Sequence, residues 1–225
     1  MSQVTHPAFI SYPKQATFGR TLPKNKIYEH SAATAGVREM FVRQVEQIVW
    51  QYKLAPETIN LPAKLGVPEV QVFAIQLKTQ ELNLDVLRCI DGAVQFPIIF
   101  ELGFDGRTQV VAAYKRPSES DASRWVLSDY FATEWLPSDL QRTAMPLALD
   151  LGSLYEQVLQ RLIPLPVRQK ESLANLVTRV ELVAAKQREV EKTASKLAKE
   201  KQFNRKVEIN TNLRQLKNEL EGLMQ

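Results

Sequence analysis

From residue 168 to residue 225 the chain has no proline, a single glycine (Gly222), and mostly Ala, Leu, Glu, Lys, Arg and Gln, all strong helix formers. Its apolar residues recur at alternating steps of three and four: Leu176, Val180, Val183, then Val190, Ala194 and Leu197. After a polar interruption the rhythm resumes at Ile209, Leu213, Leu216, Leu220 and Leu223. That is the heptad pattern of helices packed along another helix. One continuous helix of this length would run roughly 85 Å at 1.5 Å per residue, longer than a domain of this size is wide. The arm must therefore fold back on itself, pair with a second copy or grip a partner. Docking on a partner is the expectation, through Val180, Val183, Val190, Leu197, Ile209, Leu213, Leu216 and Leu220.

Charge separates the arm from the rest. Residues 168–225 hold 13 basic and 8 acidic side chains, against 16 and 17 in residues 1–167. The surplus is densest at residues 192–206 (KTASKLAKEKQFNRK). Lys199, Lys201, Arg205 and Lys206 are the candidates for contact with a phosphate backbone. A solvated helix face with Glu–Lys pairs is the plainer reading of the same charges. Phe203, Asn204, Arg205, Lys206, Asn210 and Asn212 interrupt the seam, and polar seam residues set register and partner choice.

The remainder predicts an α+β body over residues 1–166, followed by the helical arm at 167–225. Residues 1–30, with Pro7, Pro13 and Pro23, show no periodicity and read as an irregular segment that tucks Phe9, Tyr12 and Phe18 into the body. Thr34 caps a helix whose stripe is Val37, Phe41, Val45, Ile48, Val49 and Tyr52, stopped by Pro56. Residues 69–78, 96–103, 108–115 and 124–133 read as strands, and 82–90 as a short helix. Asp105-Gly106 is a hairpin turn between the second and third strands. Asp150 caps a helix with Leu151, Leu154, Tyr155, Val158 and Leu162 on one face, and Ile163-Pro164-Leu165-Pro166 forms the hinge. The expected body is a mostly antiparallel sheet of about four strands packed with helices.

Few reactions fit this inventory. There is no Gly-rich phosphate loop, and one cysteine (Cys89) and two histidines (His6, His30) cannot build a zinc cluster. No metal or cofactor is expected. A nucleophilic triad would have to draw its base from the irregular N-terminal segment. The one arrangement with a chemical logic is Asp91 ahead of a hairpin that carries Glu101 and Lys115. Mg²⁺-dependent nucleases pair two such acids with a lysine near the attacked phosphate. The spacing departs from that pattern, because an acid-x-Lys would need lysine at position 103, which is Gly103. Edge charges and a helix-ending aspartate are the plainer account. Trp50, Trp125 and Trp135 suit base stacking in principle, and core packing more simply. Lys53, Glu69 and Lys78 stand at element ends. No run of about 18 apolar residues spans a membrane. The start lacks a signal-peptide layout and the lone cysteine forms no internal disulfide, so the cytoplasm is expected.

Residues 41–60 (FVRQVEQIVWQYKLAPETIN), 69–73, Ile90-Asp91, 97–102 (PIIFEL), 112–116 (AAYKR), 149–156 (LDLGSLYE) and 202–213 (QFNRKVEINTNL) together form a linear pattern. It resembles the bacterial family catalogued as domain of unknown function 4391, over nearly the whole chain from about Pro23. The resemblance implies no catalytic residues, since the family defines none. Its members tend to be encoded beside helicases, adenine methyltransferases and restriction-type subunits in phage-defence loci. By that association the resemblance implies a non-enzymatic accessory subunit of a DNA-acting defence complex. Its arm would dock on a helicase or methyltransferase subunit, or self-associate. A Mg²⁺-dependent or degenerate nuclease, and a direct DNA binder using the basic arm, are the alternatives.

Overall fold

The computed structural model describes residues 5–118, 120–121 and 124–225. Its chain divides into two compact units, Met1–Leu162 and Ile163–Gln225. The first opens with β1 (Thr5–Ser11), a 3-10 turn (Lys14–Ala16) and β2 (Thr17–Thr21), then α1 (Lys24–His30). The expected irregular start is thus built into sheets, although its prolines and broken alternation hide this. Phe9 and Tyr12 are buried as expected, while Phe18 is half-buried against Trp50.

Thr34 caps α2 (Ala35–Gln44) by accepting the Val37 amide at 3.3 Å. The helix ends earlier than its apolar stripe predicts, and Val45–Leu54 is strand β3. Lys24 Nζ donates to the Phe41 and Val45 carbonyls, at 2.9 and 2.6 Å, and Lys78 Nζ to that of Val42 at 2.8 Å. Two cations at the C-terminal end satisfy the last turn and favour stopping there. The short α3 (Pro56–Ile59) leads to β4 (Val70–Leu77), α4 (Leu84–Ala93) and β5 (Ile98–Phe104). Asn83 caps α4 through the Asp85 amide. β6 (Arg107–Pro117) follows through Asp105 and Gly106, both at positive φ (45° and 69°), as the tight hairpin turn requires. β7 (Trp125–Ala132), β8 (Leu136–Pro137), β9 (Gln141–Ala144) and α5 (Leu151–Gln160) complete the unit.

Among the described residues the main sheet has seven strands, more than the four expected, in the order β2-β3-β4-β5-β6-β7, with β8 added to β6. All neighbours are antiparallel except β4 and β5, which α4 joins as a parallel pair. β1 and β9 form a separate parallel pair. Register sorts the side chains into two faces. Ile48, Phe73, Ile75, Phe100, Leu102 and Val111 pack with Phe41, Val86, Leu87 and Ile90 in one core under α2 and α4. Each such fully buried side chain contributes roughly 1.5–3 kcal/mol relative to exposure. On the other face Val72, Ile99 and Ala112 stand in register and are equally buried.

The second unit contains α6 (Leu173–Lys199) and α7 (Phe203–Met224), joined by Glu200, Lys201 and Gln202. Ser172 caps α6 through the Asn175 amide. The arm is a hairpin, broken slightly earlier than the polar interruption at Asn204–Asn212 implies. Among the described residues no helix is long and apolar enough to cross a membrane.

Candidate functional site

Asp91 and Lys115 meet; Glu101 does not join them. Lys115 faces α4 beyond a β-bulge between Ala113 and Lys115, where the ladder with β7 shifts register. Its ammonium donates to the Asp91 carbonyl (2.6 Å), the Val94 carbonyl (2.5 Å) and Asp91 Oδ1 (3.4 Å). The first two acceptors belong to the end of α4, so the lysine closes that helix terminus. Tyr130 Oη donates to Asp91 Oδ2 at 2.6 Å. The Tyr155 hydroxyl sits at the bulge, accepting the Lys115 amide at 3.0 Å and donating to the Ala113 carbonyl.

The Lys115 and Asp91 side chains are 2% and 4% exposed. Burial is the main force on both, pushing the Asp91 carboxyl above its ordinary range and the Lys115 ammonium below its own. Each charge partly holds the other back. Three ammonium protons and three acceptors leave nothing for a substrate, and the arrangement works as an internal clamp.

Glu101 alternates with Phe100 and Leu102 on β5, so it points to the opposite face of the sheet. There Arg142 holds it with two parallel bonds of 2.7 Å, and also donates to the Ile10 carbonyl at 2.8 Å. The guanidinium lies 4.0 Å from the Phe9 ring centroid. Burial, with Glu101 next, pushes the Tyr12 phenol far above its ordinary range. The same face opens into a cleft of about 250 Å³ lined by Gln47, Gln76, Glu101, Gly103 and Thr108. Its one acid is already committed to Arg142. The expected constellation of two acids and a lysine is therefore split across the sheet.

The tryptophans and element-end charges have structural partners. Trp50, half-buried, packs on Phe18 and Phe73 and donates to the Tyr52 carbonyl. Trp135 packs against the α4 core, and Trp125 lies beneath the Lys115 ammonium at 5.7 Å. Lys53 bridges Glu57 and Glu69.

In the second unit the heptad residues face one another. Val190, Leu213 and Leu220 are buried, with Val183, Ala194, Leu197 and Leu216 packed around them. Val180 and Ile209 are half-buried. The residues expected to hold a partner are thus engaged between α6 and α7, because an antiparallel return satisfies a heptad stripe as well as a second chain does. Lys186 bridges the helices to Glu219 at 3.0 Å. Arg179 donates to both Glu171 oxygens at 2.8 Å, to Pro166 O at 2.6 Å and to Leu223 O at 3.0 Å. Arg168 adds a bond to Gly222 O. Two arginines thereby close the C-terminal end of α7. The hydrogen bonds from Arg179 are the chief cause that holds the Glu171 carboxyl down to about 2.

The turn between the helices is different. Lys199, Lys201, Arg205 and Lys206 are all exposed there, and none makes an ion pair among the described residues. Six basic residues and one acid, Glu200, lie between positions 192 and 206. Glu200 Oε1 accepts the Lys201 and Gln202 amides, at 2.7 and 2.9 Å, which ties the carboxylate to the turn. Those bonds, then Arg205 and Lys206, keep it below its ordinary range. Phe203 stands among these cations 78% exposed. Its exposure is invisible to the heptad argument, which places it simply as an interruption.

A family model described as a domain of unknown function (DUF4391) matches residues 10–220. No curated protein and no solved structure matches the chain.

Proposed function

The chain belongs to that family, and from this premise we propose that it is a non-enzymatic accessory subunit of a cytoplasmic DNA-acting complex. A defence assembly of restriction, helicase or methyltransferase type is the setting, and the helical hairpin is the contact with nucleic acid. The observation that carries this reading is the turn between α6 and α7. The apolar seam is occupied within the hairpin, and its turn carries an exposed cluster of cations without ion pairs among the described residues. A polyanion is the complement of such a cluster.

Fluorescence anisotropy with labelled DNA over a range of salt tests it. Four phosphate contacts give a slope of log affinity against log salt of roughly −3 to −4. The combined K199E, K201E, R205E and K206E variant should bind weakly, with a much flatter slope. Binding that ignores salt, or survives the four reversals, defeats the proposal. So does cleavage or modification of DNA by the purified chain that is lost on changing a single residue of the first unit.

A further inference from the structure

We infer that the turn of the hairpin grips single-stranded rather than duplex DNA, with Phe203 as the platform on which a base stacks. The inference rests on the nucleic-acid reading above and adds what kind of strand is held. Phe203 is the first residue of α7, with Lys201 two positions before it and Arg205 two after, and Lys199 closes α6 on the other side of the turn. Among the described residues no ring pair includes Phe203, so the fold itself makes no aromatic use of it.

Exposed apolar side chains, here Phe203 with Val207 one turn on, are ordinary on a protein surface. One set among unpaired cations is a different case. An apolar protein partner would have to strip water from those charges to reach the ring. A nucleotide asks for both at once: its base offers a flat apolar face, and its phosphate takes the neighbouring cation. In a duplex the base faces are already stacked on each other, and only the phosphates remain. The acid within the patch does not oppose this, because the Glu200 carboxylate is turned onto the Lys201 and Gln202 amides.

The test compares full-length protein with Phe203→Ala, Phe203→Trp and the four-residue charge reversal. The probes are labelled oligothymidylate of about 20 nucleotides, longer than the few nucleotides one stacking site covers, a duplex of the same length, and oligouridylate. The single strand should bind more tightly than the duplex. Phe203→Ala should weaken the single strand roughly tenfold, leave the duplex unchanged, and be rescued by Phe203→Trp. Because the ring is exposed, the helical circular dichroism of Phe203→Ala should match the parent, which separates lost stacking from lost fold. If Phe203→Ala binds the single strand as well as the parent while charge reversal abolishes binding, the inference falls and the functional proposal stands. If the parent binds neither DNA in a salt-dependent way, both fall. Tighter binding of oligouridylate than of oligothymidylate overturns the assignment to DNA.

Discussion

Lys115 spends its charge inside the protein. With the ammonium bonded to the end of α4 and to Asp91, replacement by methionine strands a buried carboxylate and two helix-terminal carbonyls. The expected loss is about 3–5 kcal/mol, read from urea unfolding. Exchanging both partners, as D91N with K115M, should restore much of it, because the uncompensated charge goes with its partner. Tyr130→Phe should cost about 1–3 kcal/mol through the bond it gives Asp91. None of these changes should alter the salt slope of DNA binding. The acid-and-lysine pattern was visible in the sequence, and its proximity is real for Asp91 and Lys115. Glu101 could have been separated from them by strand alternation with Phe100 and Leu102. The side on which Lys115 emerges follows from the same alternation, since it shares parity with Val111 and the extra residue of the register shift lies on β7. Arg142, the partner of Glu101, lies some 40 residues on with no local motif to mark it.

Helix α6 and helix α7 depend on each other along the seam. Leu213→Ala should remove about 2–5 kcal/mol from the hairpin, seen as faster amide exchange in both helices while β4 and β5 keep their protection. The hairpin also has an acid limit. Glu171 is held to about 2 in the fold, against 4.5 for an ordinary glutamate. A depressed carboxyl stabilises fully above the ordinary value, and that contribution disappears as pH falls from there toward 2. Helical circular dichroism should therefore weaken across that interval in the parent. Glu171→Gln should be less stable at neutral pH and lack this part of the acid transition. At this scale much was legible: the capping residues Thr34 and Asp150, the β-branched and aromatic run of β4, and the Asp105-Gly106 turn. The failure at β3 is instructive. Register shifts between Val45 and Gln47 and between Trp50 and Tyr52 break its period of two. What is left, Val45, Ile48, Val49 and Tyr52, imitates helical spacing. β1 and β9 escape for another reason, since each pairs with a strand about 130 residues away.

The seam also governs how many chains stand together. With Val190, Leu213 and Leu220 already covered, light scattering at micromolar concentration should return the mass of a single chain. A dimer lost on removal of residues 163–225 would contradict an internally closed arm. Yet the grip between α6 and α7 does not record whose α7 it is. The same face would accept the α7 of a neighbouring molecule, and only the three residues from Glu200 to Gln202 hold each chain to its own. A short tether supplies its own α7 at an effective concentration on the order of millimolar. Replacing this connector with helix-favouring residues would straighten α6 into α7 and deny the chain its own second strand of the seam. Two such molecules would then trade helices, and the reciprocal exchange would carry both basic segments on one continuous rod.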